Sequence, residues 1–138
     1  MILRELNVKD YYKGLYLLLS QLTNCPIVNF NTFLNQFTKN KNNKIFIIEE
    51  NNKIVGYGSL LINYKFYRNC SNVGYIEDIV VDQKYRGKGY AQLIINKLIN
   101  YSKEKECYKV ILVCSDEYLN FYTKLGFKIK NNNMILDI

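Results

Sequence analysis

The sequence predicts an α/β (α+β) domain, a mixed central β-sheet flanked by helices on both faces, and three observations carry that prediction. Runs rich in β-formers alternate with segments of helical period in the order β-α-α-β-β-β-α-β-α-β, an order that suits a mixed sheet covered on both sides. A glycine-rich turn at residues 86–91 follows the apolar run Ile79-Val80-Val81 and opens a helical pattern from Gly89 to Lys105. The chain has 138 residues without repeats or linkers, so residues 1–138 are read as a single domain with one core.

Residues 2–6 read as a short first strand. From Asp10 onward Leu15, Leu18, Leu19 and Leu22 recur at helical spacing and give an amphipathic first helix, which Cys25-Pro26 ends. Phe30, Phe33, Leu34 and Phe37 mark a short second helix with Asn29 or Asn31 as its N-cap. The polar stretch 39–44 reads as a loop. Residues 44–50 and 54–64 are β-rich, and Asn51-Asn52-Lys53 between them reads as a hairpin. A polar, aromatic loop at 65–72 leads into a strand at 74–81. In the helix after the glycine turn, Leu93, Ile94, Leu98 and Tyr101 form the inner face. A short buried strand at 109–114, a short helix at 118–125 stopped by Gly126, and closing strand material at 127–137 complete the chain.

Composition removes several classes of chemistry. The chain has no histidine, which excludes Ser-His-Asp and Cys-His hydrolases, H-E-x-x-H metalloenzymes and His-ligated metal sites; no metal is expected. Proton traffic must use Asp, Glu, Tyr, Lys, Cys or water. Cys25, Cys70, Cys107 and Cys114 form no C-x-x-C pair and are expected as free, mostly buried thiols. The net charge of +7 is scattered, densest at 39–44, and no helix carries a basic stripe interleaved with aromatics. Small anionic ligands are therefore expected rather than nucleic acid. No apolar stretch is long enough to cross a membrane, and Met1-Ile2-Leu3-Arg4-Glu5 lacks the basic and apolar regions of a signal peptide. A cytoplasmic location is expected.

The glycine turn reads Arg86-Gly87-Lys88-Gly89-Tyr90-Ala91. A helix start presents unpaired backbone N–H groups and the positive end of the helix dipole, a ready anion site. Gly87 and Gly89 permit backbone angles closed to other residues and a close approach by phosphate, and Arg86 and Lys88 add charge. The spacing is neither a Walker loop, which ends in Gly-Lys-Ser/Thr, nor a dinucleotide fingerprint, because Gln92 stands where the third glycine belongs. It fits (Gln/Arg)-x-x-Gly-x-(Gly/Ala), with Arg86, Gly89 and Ala91 at the fixed places. Upstream, Gly74-Tyr75-Ile76-Glu77-Asp78-Ile79-Val80-Val81 puts two adjacent carboxylates in a strand otherwise built for burial, where charge is costly unless paired or used. Strand neighbours face opposite sides, so one of the pair is expected to point outward.

The glycine turn resembles the coenzyme A pyrophosphate loop of the GNAT superfamily of N-acetyltransferases, and the element order is that of the GNAT fold. Leu22-Thr23, the Lys65-Phe66-Tyr67-Arg68 loop, the Glu77-Asp78 strand, Cys107-Tyr108-Lys109 and Phe121-Tyr122 extend the likeness over nearly the whole chain. Together they resemble the glucosamine 6-phosphate N-acetyltransferases. That resemblance implies a homodimer that moves the acetyl group of acetyl-CoA, a co-substrate, to the 2-amine of glucosamine 6-phosphate, on the route to UDP-N-acetylglucosamine.

Carried over residue by residue, the resemblance implies three groups of site residues. Ile79, Val80 and Val81 would pair with the pantetheine arm, and Arg86, Gly87, Lys88, Gly89, Tyr90, Ala91 and Gln92 would hold the pyrophosphate. Thr23, Lys65, Phe66, Tyr67, Arg68, Glu77, Asp78, Tyr108 and Lys109 would line the sugar-phosphate site. Arg68, Lys65 and Lys109 are the cations suited to phosphate, Arg68 most of all through its bidentate fork. Tyr122 would stand near the sulfur and protonate the departing thiolate, with Glu77 or Asp78 taking a proton from the amine. Three positions depart from the family's pattern: Val113 replaces an acidic residue, Tyr118 an asparagine and Asp137 an arginine. Another primary amine as acceptor, or a non-catalytic acetyl-CoA-binding module, stays open at this point.

Overall fold

The computed structural model describes the whole chain, residues 1–138. Its sheet holds β1 (Ile2–Glu5), β2 (Asn43–Glu50), β3 (Lys53–Asn63), β4 (Asn72–Val81) and β5 (Cys107–Leu112), side by side in that order. The first four strands are antiparallel, whereas β5 runs parallel to β4. Asn51 and Asn52, at φ 52° and 60°, turn the β2–β3 hairpin in the left-handed conformation such a tight turn requires. The parallel pair needs a crossover, and α3 (Tyr90–Glu104) supplies it.

Alternation along the strands sorts the core into two halves. Phe46, Ile48 and Val55 face α3, where they meet the fully buried Ile94, Ile95 and Leu98. Each such side chain contributes about 1.5–3 kcal/mol by leaving water. Ile47 and Ile54 face the other way, onto α1 (Leu15–Leu19), α2 (Phe30–Lys39) and the preceding 3-10 turn Val8–Lys13. A mixed sheet with helices on both faces is thus the observed architecture. Gly58 lets α3 lie close to the sheet: a Cβ there would stand 2.5 Å from Ile94 Cγ2 and 2.6 Å from Ile79 Cδ1. No helix is long and apolar enough to cross a membrane.

An ion cluster locks the N-terminal strand to the sheet. Arg4 donates to both carboxylate oxygens of the fully buried Asp10, at 2.7 and 2.9 Å, and also to Glu49, while Lys13 Nζ lies 2.6 Å from Glu49 Oε1. The bidentate pair satisfies a carboxylate that would be costly if buried alone. Lys13, then Arg4, hold the Glu49 carboxyl below its usual range.

Several elements differ from the sequence expectation. The first helix is split, because Gly14 takes φ 78° and separates the 3-10 turn from α1. Asn29, not Asn31, caps α2 by accepting from the Thr32 N–H at 2.9 Å. The expected loop at 39–44 shrinks, since α2 reaches Lys39 and the pairing of Asn43 with Leu61 draws residues 43 and 44 into β2. Ile95 joins the inner face of α3, whereas Leu93 is exposed. The strand expected at 109–114 begins at Cys107 and ends at Leu112, and as an edge strand it is half-buried. Cys70 is exposed and the other three thiols are half-buried, so the expectation of mostly buried thiols fails, although all four are free.

The closing strand at 127–137 does not form. Gly126, at φ 98°, stops α4 (Leu119–Lys124) as expected, but no backbone hydrogen bond is donated beyond Phe127. Ile129, Met134, Ile135 and Leu136 stand exposed.

Candidate active site

A β-bulge builds the near wall of the site. Across the β3–β4 pair, Ser59 lies opposite Glu77 and Tyr57 opposite Val80, which leaves one extra residue on β4. Asp78 absorbs it at φ 57°, a conformation that costs a non-glycine residue about 1–2 kcal/mol. The bulge shifts the phase of the strand, so Ile76 and Val81 share one core face despite their odd separation. It also turns both Glu77 and Asp78 outward. The expectation of opposite-facing carboxylates is therefore corrected: neither is buried, and both line one cleft.

That cleft opens where the sheet splays. The β4–β5 ladder ends at Ile76 opposite Leu112, while β4 runs on to Val81. Residues 77–81 therefore present an edge without a strand partner, and Ile79, Val80 and Val81 line a cleft of ≈ 770 Å³. A thioester-bearing arm laid along this edge would meet free backbone donors and acceptors.

The glycine turn closes one end of the cleft. Asp82 caps the 3-10 turn Gln83–Tyr85 by accepting from the Lys84 N–H at 2.9 Å, and Gln21 Oε1 accepts from the Gln83 N–H at 3.0 Å. Arg86 Nε donates to the Val81 carbonyl at 3.1 Å, which folds the loop back over the strand end. Gly87 and Gly89 both take φ 79°. Gly89 is the N-cap of α3 with no side-chain cap, and the first helical bond runs from the Leu93 N–H to the Gly89 carbonyl. The N–H groups of residues 87–92 consequently find no acceptor within the chain. A Cβ added at Gly87 or Gly89 would meet nothing within 4 Å, so it is the positive φ and not a lack of room that suits these positions to glycine. Open amides at the start of a long helix fit a pyrophosphate. Gly87, Tyr90 and Ala91 line the cleft; Lys88, Gly89 and Gln92 do not, and the Lys88 ammonium turns toward Glu50.

The far wall comes from the end of β5 and from α4. Val113, Cys114, Tyr118 and Tyr122 line it. Tyr122 packs edge-on against Phe121, with centroids 5.1 Å apart, and against Phe127 at 5.9 Å. Burial, followed by proximity to Cys114, pushes its phenol above the ordinary tyrosine value. Tyr122 therefore keeps its proton at neutral pH and can donate it. The positions of two of the departures, Val113 and Tyr118, thus lie in the cleft itself.

The remaining expected residues gather elsewhere. The Arg68 guanidinium stacks 4.6 Å from the Tyr108 ring centroid, and the Lys109 ammonium lies 5.4 Å from the same ring. Arg68, Asn69 and Cys70 take φ 50°, 55° and 58°, which curls the loop toward the start of β5. Lys65 lies 5.9 Å from the Tyr67 ring, and Phe66 is almost wholly exposed. None of these residues lines the cleft, and Thr23 does not either, although its neighbours Gln21 and Leu22 do. Lys109 pairs beside Val73, about 13 Å along the strand from Glu77. Within one chain Arg68, Tyr108 and Lys109 thus form a second cluster near the start of β5, apart from Glu77 and Asp78 in the cleft. Sequence reasoning missed Gln21, Tyr85, Ser115 and Glu117 in the cleft wall. The polar run Ser115-Asp116-Glu117 between a strand and a helix was the available signal for the last two.

Comparison with known proteins gives the family. The pattern of the acetyltransferase (GNAT) family matches residues 4–127. The glucosamine 6-phosphate N-acetyltransferase of Arabidopsis thaliana is 39% identical over 138 aligned positions, covering 96% of this chain and 93% of the relative. A crystal structure of that enzyme superposes with a TM-score of 0.93 at 38% identity, covering 99% of this chain and 97% of the other. A predicted acetyltransferase of Clostridium acetobutylicum, crystallised with acetyl-CoA, superposes with a TM-score of 0.73 at 25% identity, covering 99% and 95%. The bulged strand, the splayed edge and the open amides of the glycine turn thus belong to an acetyltransferase: the chain is a member of the GNAT family, on its glucosamine 6-phosphate N-acetyltransferase branch.

Proposed function

We propose that the protein transfers the acetyl group of acetyl-CoA to the 2-amine of D-glucosamine 6-phosphate, giving N-acetyl-D-glucosamine 6-phosphate, by direct transfer in a ternary complex. The observation that carries this reading is the set of unaccepted N–H groups at residues 87–92, at one end of a cleft whose other walls hold two carboxylates and a protonated tyrosine. The names of the curated relatives supply the acceptor.

Acetyl-CoA supplies the activated thioester. The amides of the glycine turn and the free edge of β4 hold its two ends and so place its carbonyl beside Glu77 and Asp78. One of these carboxylates, directly or through water, takes a proton from the substrate ammonium. The freed nitrogen bonds to the carbonyl carbon and gives a tetrahedral oxyanion, whose collapse breaks the carbon–sulfur bond. Backbone N–H groups of residues 79–81 stabilise that oxyanion, Tyr122 gives its proton to the leaving sulfur, and the second proton, shed by the nitrogen as it becomes an amide, returns to Tyr122 through water. Alignment of two bound reactants supplies most of the acceleration.

The reading includes a cytoplasmic location and a homodimer, and the placement of the two clusters supports the homodimer. Arg68, Tyr108 and Lys109 do not line the cleft that holds Glu77 and Tyr122 of the same chain. A second copy that brings its own Arg68–Lys109 cluster over the cleft would complete the site. The exposed apolar side chains at 129–136 and the open edge of β5 are surfaces such a copy would cover. Subunit mixing tests this. Arg68→Ala and Tyr122→Phe proteins, each nearly inactive, should regain up to about a quarter of wild-type activity when unfolded and refolded together, because one site of a mixed dimer is then intact. No recovery would refute a shared site.

An acceptor panel tests the reaction. Thiol release from acetyl-CoA should saturate with glucosamine 6-phosphate and be at least about a hundredfold slower, in kcat/KM, with glucosamine, whose missing phosphate leaves Arg68 unpaired. Faster turnover of an unphosphorylated amine would reassign the acceptor. Tight acetyl-CoA binding without turnover of any amine would make the protein a binding module.

A further inference from the structure

Three side chains outside the reaction tie the glycine turn to the β2–β3 hairpin. The Tyr90 hydroxyl donates to Oε2 of Glu50. The Tyr90 ring is buried in the core and stacks on Tyr85, with centroids 6.5 Å apart and planes 20° from parallel. The Lys88 ammonium lies 3.7 Å from Oε1 of Glu50, and 4.9 and 5.8 Å from the ring centroids of Tyr85 and Tyr90. Glu50 is itself well fixed, because it pairs with Lys53 across the tight Asn51-Asn52 turn.

These ties act where the loop has few others. Gly87 and Gly89 carry no side chains, and the start of α3 has no side-chain cap. Beyond Arg86, the side-chain hydrogen bond that holds the donor-bearing segment runs through Tyr90, the first residue of the helix. A hydroxyl donating to a carboxylate is a charge-assisted bond, stronger than a neutral one. It holds the Glu50 carboxyl below its usual range and raises the Tyr90 phenol, so donor and acceptor keep these roles at neutral pH. The longer, half-exposed contact to Lys88 is worth little by comparison. Neither Glu50 nor Lys88 lines the cleft.

We propose that Glu50 is a positioning residue for coenzyme binding: by accepting the Tyr90 hydroxyl it aims the amides of residues 87–92 before the pyrophosphate arrives. This rests on the acetyl-CoA reading above. A donor array aimed in advance loses less freedom on binding, and that difference appears as affinity. Charge and positioning predict opposite signs for loss of Glu50. A carboxylate near an anion site repels the anion, so by charge alone Glu50→Ala would bind coenzyme A more tightly. Positioning requires weaker binding.

Calorimetric titration with coenzyme A, and with pantetheine as a probe lacking the pyrophosphate, decides the matter. Tyr90→Phe keeps the buried ring and every charge, and should weaken coenzyme A binding about three- to tenfold, the size of one hydrogen bond. Glu50→Ala should weaken it by a similar factor. The double variant should be no weaker than either single one, because one bond is lost in all three. Pantetheine affinity should not move, which a general loosening of the fold would not allow. Wild-type affinity in Tyr90→Phe, or tighter binding in Glu50→Ala, overturns the proposal. If the wild-type protein itself takes up no coenzyme A, the acetyl-CoA reading fails instead.

Discussion

Tyr122→Phe should lower kcat by about a hundredfold or more, the usual worth of a positioned general acid, while the KM for acetyl-CoA stays within about twofold. The substitution keeps the ring against Phe121 and Phe127, so the far wall of the cleft is preserved. Only the proton offered to the departing sulfur is lost. The same role fixes the direction of the pH profile. Burial raises the Tyr122 phenol above its ordinary value, so the donating form persists through neutral pH, and activity falls only as pH climbs through that raised value. In Tyr122→Phe this alkaline limb should vanish with most of the rate. Thiol-release kinetics between neutral and alkaline pH measure both effects, and an unchanged kcat would take Tyr122 out of the chemistry.

Gly89→Val should weaken acetyl-CoA binding by about two orders of magnitude, each factor of ten being about 1.4 kcal/mol. The cost is conformational. At φ 79° a side chain is strained by about 1–2 kcal/mol, more when β-branched, so the loop relaxes and its amides lose their common aim. A Cβ there meets nothing within 4 Å, so no clash within the chain adds to it. The strain falls on an open turn and not in the core, so circular dichroism should still report the native fold. Retained affinity would mean that the pyrophosphate lies elsewhere.

Much of this site could be read before the fold was seen. Two glycines between an apolar run and a helical pattern state where donors go unpaired, and that is local chemistry. Tyr122 was visible only by resemblance, since an aromatic on a short helix reads equally well as packing. The bulge at Asp78 had a signal that simple alternation hides. Ile76 lies an odd number of residues from Ile79 and Val81, so the three can share a face only if the strand gains a residue between them. The closing strand failed for a different reason. The composition of 127–137 expresses a propensity to extend, but a strand exists only where it pairs, and the residues beyond Phe127 donate no backbone hydrogen bond within this chain although β5 keeps an open edge. The separation of Arg68, Tyr108 and Lys109 from the cleft was equally hidden. A resemblance assigns residues to one site without saying whether one chain can assemble it.

The most direct test follows the backbone amides by heteronuclear NMR as coenzyme A is added. Main-chain N–H groups of residues 87–92 that now lack acceptors should shift downfield together and saturate with the ligand, while amides of the Asn29–Lys39 face stay still. If those amides keep their shifts at saturation while others move, the helix start is not where the diphosphate binds, and the mechanism built on it is wrong.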